Sequence, residues 1–228
     1  MHVALALFLL ATMSATMERP ARVASAQEPD VPALSYPIGD PGRPFGDGFM
    51  IRHGFATENT WYLPGYLHAG EDWYRVDGET AGATVYAMGD GEVVFAGSNY
   101  PGRVVVIQHQ EDLYSMYGHL DPDLAVDRGD LVERGERIGA VGTRDDGVPN
   151  HLHFEVRTFL TTSDVNGDAP RYGFACGVEC PPGPGYWPIE APDNPVDVGW
   201  RNPSHAIAAA TDGVQGLEAV VAAEPPVS

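Results

Sequence analysis

Three short stretches of this chain hold residues that could do chemistry together. His151, His153, Glu155 and Arg157 alternate with Leu152, Phe154 and Val156. On a β-strand that alternation points two imidazoles, at i and i+2, from one face and the apolar side chains from the other. In His68-Ala69-Gly70-Glu71-Asp72 an imidazole precedes a carboxylate by four residues, with a glycine between them that lets the backbone turn. The flanking Pro64-Gly65 favours a loop entering a strand over a helix. Tyr117-Gly118-His119-Leu120 closes a β-like run and leaves a further imidazole at a strand end, where functional groups collect. Each motif alone is ordinary, since an HxH pair is commonly a solvated strand face and His119 alone a surface turn residue. Together they could supply a catalytic zinc site, which takes three protein ligands and keeps a fourth position for water. His68, Asp72 and one imidazole of the HxH strand would be the ligands. The remaining imidazole and His119 would stand beside the water, neutral near pH 7 and able to take or give a proton. His53 and His109 have no partner at ligand spacing and read as structural, and His205 as incidental.

These residues need a scaffold that brings distant strands side by side. From Ala83 onward the chain reads as short strands rich in Val, Tyr, Ile and Phe: Ala83 to Met88, Glu92 to Ala96, Arg103 to His109 and Leu113 to Tyr117. Glycine- and aspartate-rich turns separate them, and no helical pattern intervenes. A strand-turn-strand unit follows from Leu131 to Gly142, then the HxH strand from His151 to Arg157. The expected fold is therefore all-β, an antiparallel sheet or sandwich with long loops around the groove that holds the histidines. Residues 158–200 are rich in Pro, Gly and Asp and read as one long irregular insertion, either functional or mobile.

Composition narrows the partners. The 228 residues include 32 acidic and 13 basic side chains, every basic one an Arg, for a formal charge of -19. That balance argues against nucleic acid, whose phosphates are met by clustered Lys and Arg, and against an anionic membrane surface. The absence of Lys also excludes Schiff-base catalysis and a Lys-tethered swinging cofactor. Residues 1–26 read as a signal peptide, with an apolar run from Val3 to Thr12 and a cleavage site at Ala24-Ser25-Ala26, so the mature chain is expected to be secreted or periplasmic. No later run is long enough for a membrane anchor. Residues 27–48 read as a leader or linker, 49–204 as the folded domain, and 205–228 as a flexible tail. In an exported chain Cys176 and Cys180 are expected to form a small local disulfide. Asp164 to Asp168 looks like the start of a calcium loop, but Ala175 stands where the closing Glu is needed.

The motifs come in a definite order: His68-x-Gly70-x-Asp72, Ala83 to Met88, Gly89 to Gly97, Val104 to His109, Tyr117-Gly118-His119-Leu120, Gly129 to Gly142, and His151-Leu152-His153-Phe154-Glu155. In this order they resemble the lysostaphin-like, or LytM-domain, zinc metallopeptidases, which cleave peptide bonds in bacterial peptidoglycan. The resemblance covers residues 50 to 157, with a weaker echo at Asn194-Pro195-Val196-Asp197. It implies one zinc per chain held by His68, Asp72 and His153, and catalytic roles for His119 and His151, assigning the HxH imidazole that spacing alone left open. The implied reaction is attack of an activated water on a scissile carbonyl in cross-links or stem peptides of peptidoglycan, by a chain expected to be monomeric. Its alternative is a non-catalytic LytM-like module that binds and regulates cell-wall hydrolases. The loop Thr143 to Asn150 departs from the small residues usual before the HLH motif and is more charged. The pattern from Gly129 to Gly142 is also similar to biotinyl and lipoyl carrier domains, a reading that fails for want of an attachment Lys.

Overall fold

The computed structural model describes residues 33–99, 102–172 and 181–211. The signal-peptide segment and the Cys176–Cys180 pair lie outside them. In chain order the strands are β1 (Ile38–Gly39), β2 (Phe49–His53), β3 (Glu58–Asn59), β4 (Leu63–His68), β5 (Glu71–Arg75), β6 (Thr84–Tyr86) and β7 (Gly91–Asn99). They continue as β8 (Gly102–Gln110), β9 (Leu113–Leu120), β10 (Leu131–Val132), β11 (Arg137–Ala140), β12 (Leu152–Arg157), β13 (Tyr186–Pro188) and β14 (Trp200–Arg201), followed by helix α1 (Pro203–Thr211). The main sheet runs β10-β7-β8-β9-β12-β5-β2, with β14 paired to β12, and two small sheets, β1-β6-β11 and β13-β4-β3, flank it. Every pairing is antiparallel, in keeping with the all-β expectation.

Residue type explains the long central strands. The run Val104-Val105-Val106-Ile107 is fully buried on both faces of β8, as a strand covered on two sides must be. Val105 and Ile107 join Val93, Tyr117, Leu152, Phe154 and Val156 in the main core, which Val85 and Ile138 close from the β1-β6-β11 sheet. Val104, Val106 and Met116 pack on the opposite face.

Four expectations change. Residues 33–48 are not a loose leader over their described length. Leu34 and Ile38 are buried in the main core, β1 pairs with β6, and Arg75 holds Asp40 with two hydrogen bonds of 2.7 and 2.8 Å. The segment 131–142 is no hairpin, because β10 pairs with β7 and β11 with β6 in different sheets. The expected tail begins as α1, whose Ala206 and Ile207 enter the core. Asn202 caps that helix by accepting from His205 N at 3.1 Å. The Glu71 carboxylate also accepts from Ser204 N at 3.2 Å and Oγ at 2.9 Å, placing negative charge at the helix's positive end. Finally, the insertion 158–200 is a packed cover over its described residues. Trp187 and Trp200 join Ala69, Phe159 and Val165 in a second buried cluster laid over the polar face of β12. No described helix is long and apolar enough to cross a membrane.

Candidate functional site

Strand register delivers the site. His153 on β12 is paired with Asp72 on β5 and with Gly118 on β9. Side chains paired this way share a sheet face, so Asp72 and His153 meet directly and His119 follows one residue beyond. His68 arrives from β4 across the turn at Ala69-Gly70. A Cβ on Gly70 would lie 2.4 Å from Phe154 O and 2.9 Å from Glu155 Cγ, so only glycine lets this turn press against β12. Ala69 N donates to Gly185 O at 3.0 Å, tying the turn to the insertion.

Three side-chain atoms converge in the resulting pocket. His68 Nε2 lies 3.0 Å from His153 Nδ1 and 3.2 Å from Asp72 Oδ1, and His153 Nδ1 lies 3.1 Å from the same oxygen. His68, Asp72 and His153 are all buried. Burial disfavours the Asp72 carboxylate, yet His68, His153 and His53 outweigh it and hold its pKa well below the usual range. Burial likewise pulls His68 down, despite Asp72, toward the neutral imidazole that a metal needs. For His153 burial acts in the same sense, but hydrogen bonds to Asp72 and Glu155 prevail and lift it to about 9. His153 Nε2 donates to Glu155 Oε1 at 2.9 Å, which turns Nδ1 toward His68 and Asp72. Glu155 is fixed in turn by Trp200 Nε1, which donates to Oε2 at 2.7 Å. Arg157, fully buried beyond it, donates to the carbonyls of Pro181 and Pro182 at 2.7 and 3.1 Å. The polar face of the HxH strand is thus a buried row whose charges are matched, and not a solvated face.

The other two histidines lie on one side of this triangle. His151 Nδ1 donates to Pro149 O at 2.8 Å, leaving Nε2 as a lone-pair site 3.6 Å from Asp72 Oδ1. The His119 ring centroid lies 4.6 Å from that of His151 and 6.1 Å from that of His153. His119 adopts a φ of 60°, a left-handed conformation that costs a non-glycine residue on the order of 1–2 kcal/mol, and Gly142 N donates to its carbonyl at 2.8 Å. Burial keeps both imidazoles below their ordinary pKa, reinforced at His119 by His151 and Arg144. Arg144 Nη1 stands 2.7 Å from His119 Nδ1 and 2.8 Å from Nε2.

His53, expected to be structural, belongs to this cluster. Its β2 position is paired with Asp72, its Nδ1 lies 3.4 Å from Asp72 Oδ2, and its ring stacks on His68 at 4.1 Å and 8°. No spacing in the sequence reveals this, because the contact depends on how β2 registers against β5. His53, His68 and Asp72 could themselves hold a metal ion, with ligand atoms within 4.8 Å of one another. His153 Nδ1 is nearer to His68 and Asp72 than that limit, so the tightest set is His68, Asp72 and His153. His109 lies elsewhere, bonded to Asp90 O at 2.8 Å and Ser115 Oγ at 2.7 Å. In the calcium-like segment Asp164 pairs with Arg171 at 2.6 Å.

The cluster opens into a groove of about 690 Å³ lined on its walls by Arg52, Trp61, Tyr62, Tyr74, Arg144 and Tyr186. The groove thus holds a group of residues that could bind a metal ion, with His119 and His151 beside it.

Residues 67–167 match peptidase family M23. The chain is 42% identical over 76 residues to the peptidoglycan DD-endopeptidase ShyB of Vibrio cholerae serotype O1, a match spanning 33% of this chain and 18% of that protein. It is 33% identical over 78 residues to the murein hydrolase activator NlpD of Salmonella dublin, spanning 33% of this chain and 20% of that one. Among solved structures, a zinc-containing peptidase from Vibrio cholerae aligns with a TM-score of 0.44 and 30% identity, over 54% of this chain and 36% of that chain. Both of these matches cover only about a fifth of the relative's length. Residues 67–167, the stretch that matches peptidase family M23, carry His68, Asp72, His119, His151 and His153.

Proposed function

We propose that this protein is an extracytoplasmic zinc endopeptidase that hydrolyses peptide bonds in peptidoglycan cross-links or stem peptides. The observation that carries the reading is the triangle of His68 Nε2, Asp72 Oδ1 and His153 Nδ1, with edges of 3.0, 3.1 and 3.2 Å. Ligand atoms about 2.0–2.1 Å from a tetrahedral zinc lie about 3.3 Å apart, so these side chains fit that ion with little movement. Two imidazole nitrogens and one carboxylate oxygen are also the donors zinc prefers. When bound, zinc supplies a Lewis acid that acidifies water and polarises a carbonyl. The chain supplies the rest. Glu155 holds the His153 tautomer, and His53 braces Asp72 through the carboxylate oxygen that faces away from the triangle. His151, with Nδ1 committed to Pro149, presents Nε2 to the groove as a proton acceptor or donor. His119, kept neutral, can do the same or donate to the oxyanion that develops on the scissile carbonyl.

The similarity to a hydrolase activator supports a second reading, a wall-binding module without catalysis. The complete ligand set and the two histidines beside it favour the enzyme. Metal analysis and peptidoglycan digestion with two variants test the assignment. His153→Ala is expected to lose zinc. His119→Ala is expected to keep it near one per chain while muropeptide release falls by at least about tenfold. Full activity of the His119 variant would remove that residue from the mechanism.

A further inference from the structure

Two guanidiniums bracket the histidine pair along one wall of the groove. The Tyr74 ring has the Arg52 guanidinium 4.7 Å from its centroid and the His151 ring at 4.9 Å. His151 contacts His119 at 4.6 Å, and His119 contacts Arg144 at 2.7 Å. The row Arg52, Tyr74, His151, His119, Arg144 thus has a cation at each end, and all five residues line the groove. A peptide crossing the two histidines would set the residues on either side of its scissile bond near these cations.

The two guanidiniums themselves invite an anionic ligand, in a groove whose lining also holds Glu58, Asp145 and Asp146. In a chain with 32 acidic and 13 basic residues, an Arg is readily paired, yet Arg52 makes no ion pair among the described residues. Arg144 is paired with Asp146, through Nε at 3.2 Å to Oδ1 and through Nη2 to Oδ2. That pair reaches solvent at the groove, where the Asp146 side chain is 41% exposed and that of Arg144 20%, so an incoming carboxylate can compete for the guanidinium. A guanidinium presents parallel N–H donors that match a carboxylate, so a substrate carboxylate can take the place of Asp146 on Arg144.

We propose that Arg144 reads a free carboxylate on a residue adjoining the scissile bond, with Arg52 at the other end of the row adding only positive potential. The protein then prefers peptides with that carboxylate over peptides in which it is amidated or missing. The proposal rests on the endopeptidase reading for its location and adds a specificity to it.

The test uses two synthetic cross-linked peptides that differ only in a carboxylate or carboxamide next to the scissile bond. Cleavage by the zinc-loaded full chain and equilibrium binding to the zinc-depleted full chain are both measured. The wild type is expected to favour the carboxylate peptide at least about tenfold in kcat/KM and in affinity. Arg144→Gln is expected to shrink both ratios to below about twofold, Arg144→Lys to keep part of them, and Arg52→Gln to lower them less than Arg144→Gln. Wild-type ratios within about twofold, or ratios untouched by both Gln variants, would overturn the proposal. Cleavage of both peptides at equal rates would do so while leaving the endopeptidase reading intact. Preferential binding without cleavage of either would sustain the carboxylate site and defeat the endopeptidase reading.

Discussion

Both nitrogens of His153 are committed, Nδ1 to the triangle with His68 and Asp72 and Nε2 to Glu155 at 2.9 Å. Removing the outer partner of a metal-binding histidine weakens metal affinity by about 10- to 100-fold. Glu155→Gln is therefore expected to bind zinc more weakly by about that factor, measurable by competition with a chromophoric chelator. The same imidazole sets a pH dependence. In the metal-free chain its pKa is raised from 6.5 to about 9. Its contribution to stability is thus complete below about 6.5 and is lost as pH rises through about 9. Zinc must displace that proton, so between pH 7 and 8.5 apparent zinc affinity is expected to rise about tenfold per pH unit, with about one proton released per ion bound. Calorimetry in buffers of different ionisation enthalpy counts that proton. The five positions of the site were legible because period-two alternation and the His-x-Gly-x-Asp spacing are local features of the sequence. Those local features left open which HxH imidazole binds metal, and only the resemblance chose between them. His53 and Arg144 were not legible, since their contacts with Asp72 and His119 span 19 and 25 residues.

At the scale of elements, the site depends on β4, β5 and β12 meeting at one turn. Gly70 is its tightest point, because a side chain there would run into the β12 backbone at Phe154 O, which cannot rotate away. Gly70→Ala is expected to cost about 3 kcal/mol or more of folding stability and to lower zinc occupancy with it, read from denaturant unfolding and metal analysis. A stable variant with full zinc would show that β4 can reach the site by another path. Strands β7, β8 and β9 were anticipated from their Val- and Ile-rich runs, which carry enough residues to show a pattern. Strands β3, β13 and β14 have two or three residues each, too few to display any period. On β13 and β14 the buried Trp187 and Trp200 anchor the chain instead, in a cluster whose other members lie far away in sequence. This is why the insertion that covers β12 read as irregular.

For the whole molecule, the acidic balance excluded partners but did not locate the cations that matter. Of the 13 basic residues, Arg52 and Arg144 stand in the groove and Arg157 is buried beneath the insertion. The domain also extends further at both ends than composition suggested. Proline- and glycine-rich sequence hid Leu34 and Ile38, which are buried in the main core where β1 pairs with β6, and the Ala-rich stretch after Asn202 is α1, whose first turn bonds Glu71. We propose that this fold carries a metal-dependent hydrolase. The most direct test is to digest purified peptidoglycan with the full chain loaded to one zinc, with and without a chelator, and to identify new amino termini. New termini are expected that vanish with the chelator and return when zinc is restored. A chain that holds its zinc, binds the peptidoglycan and releases no new termini would contradict the proposal.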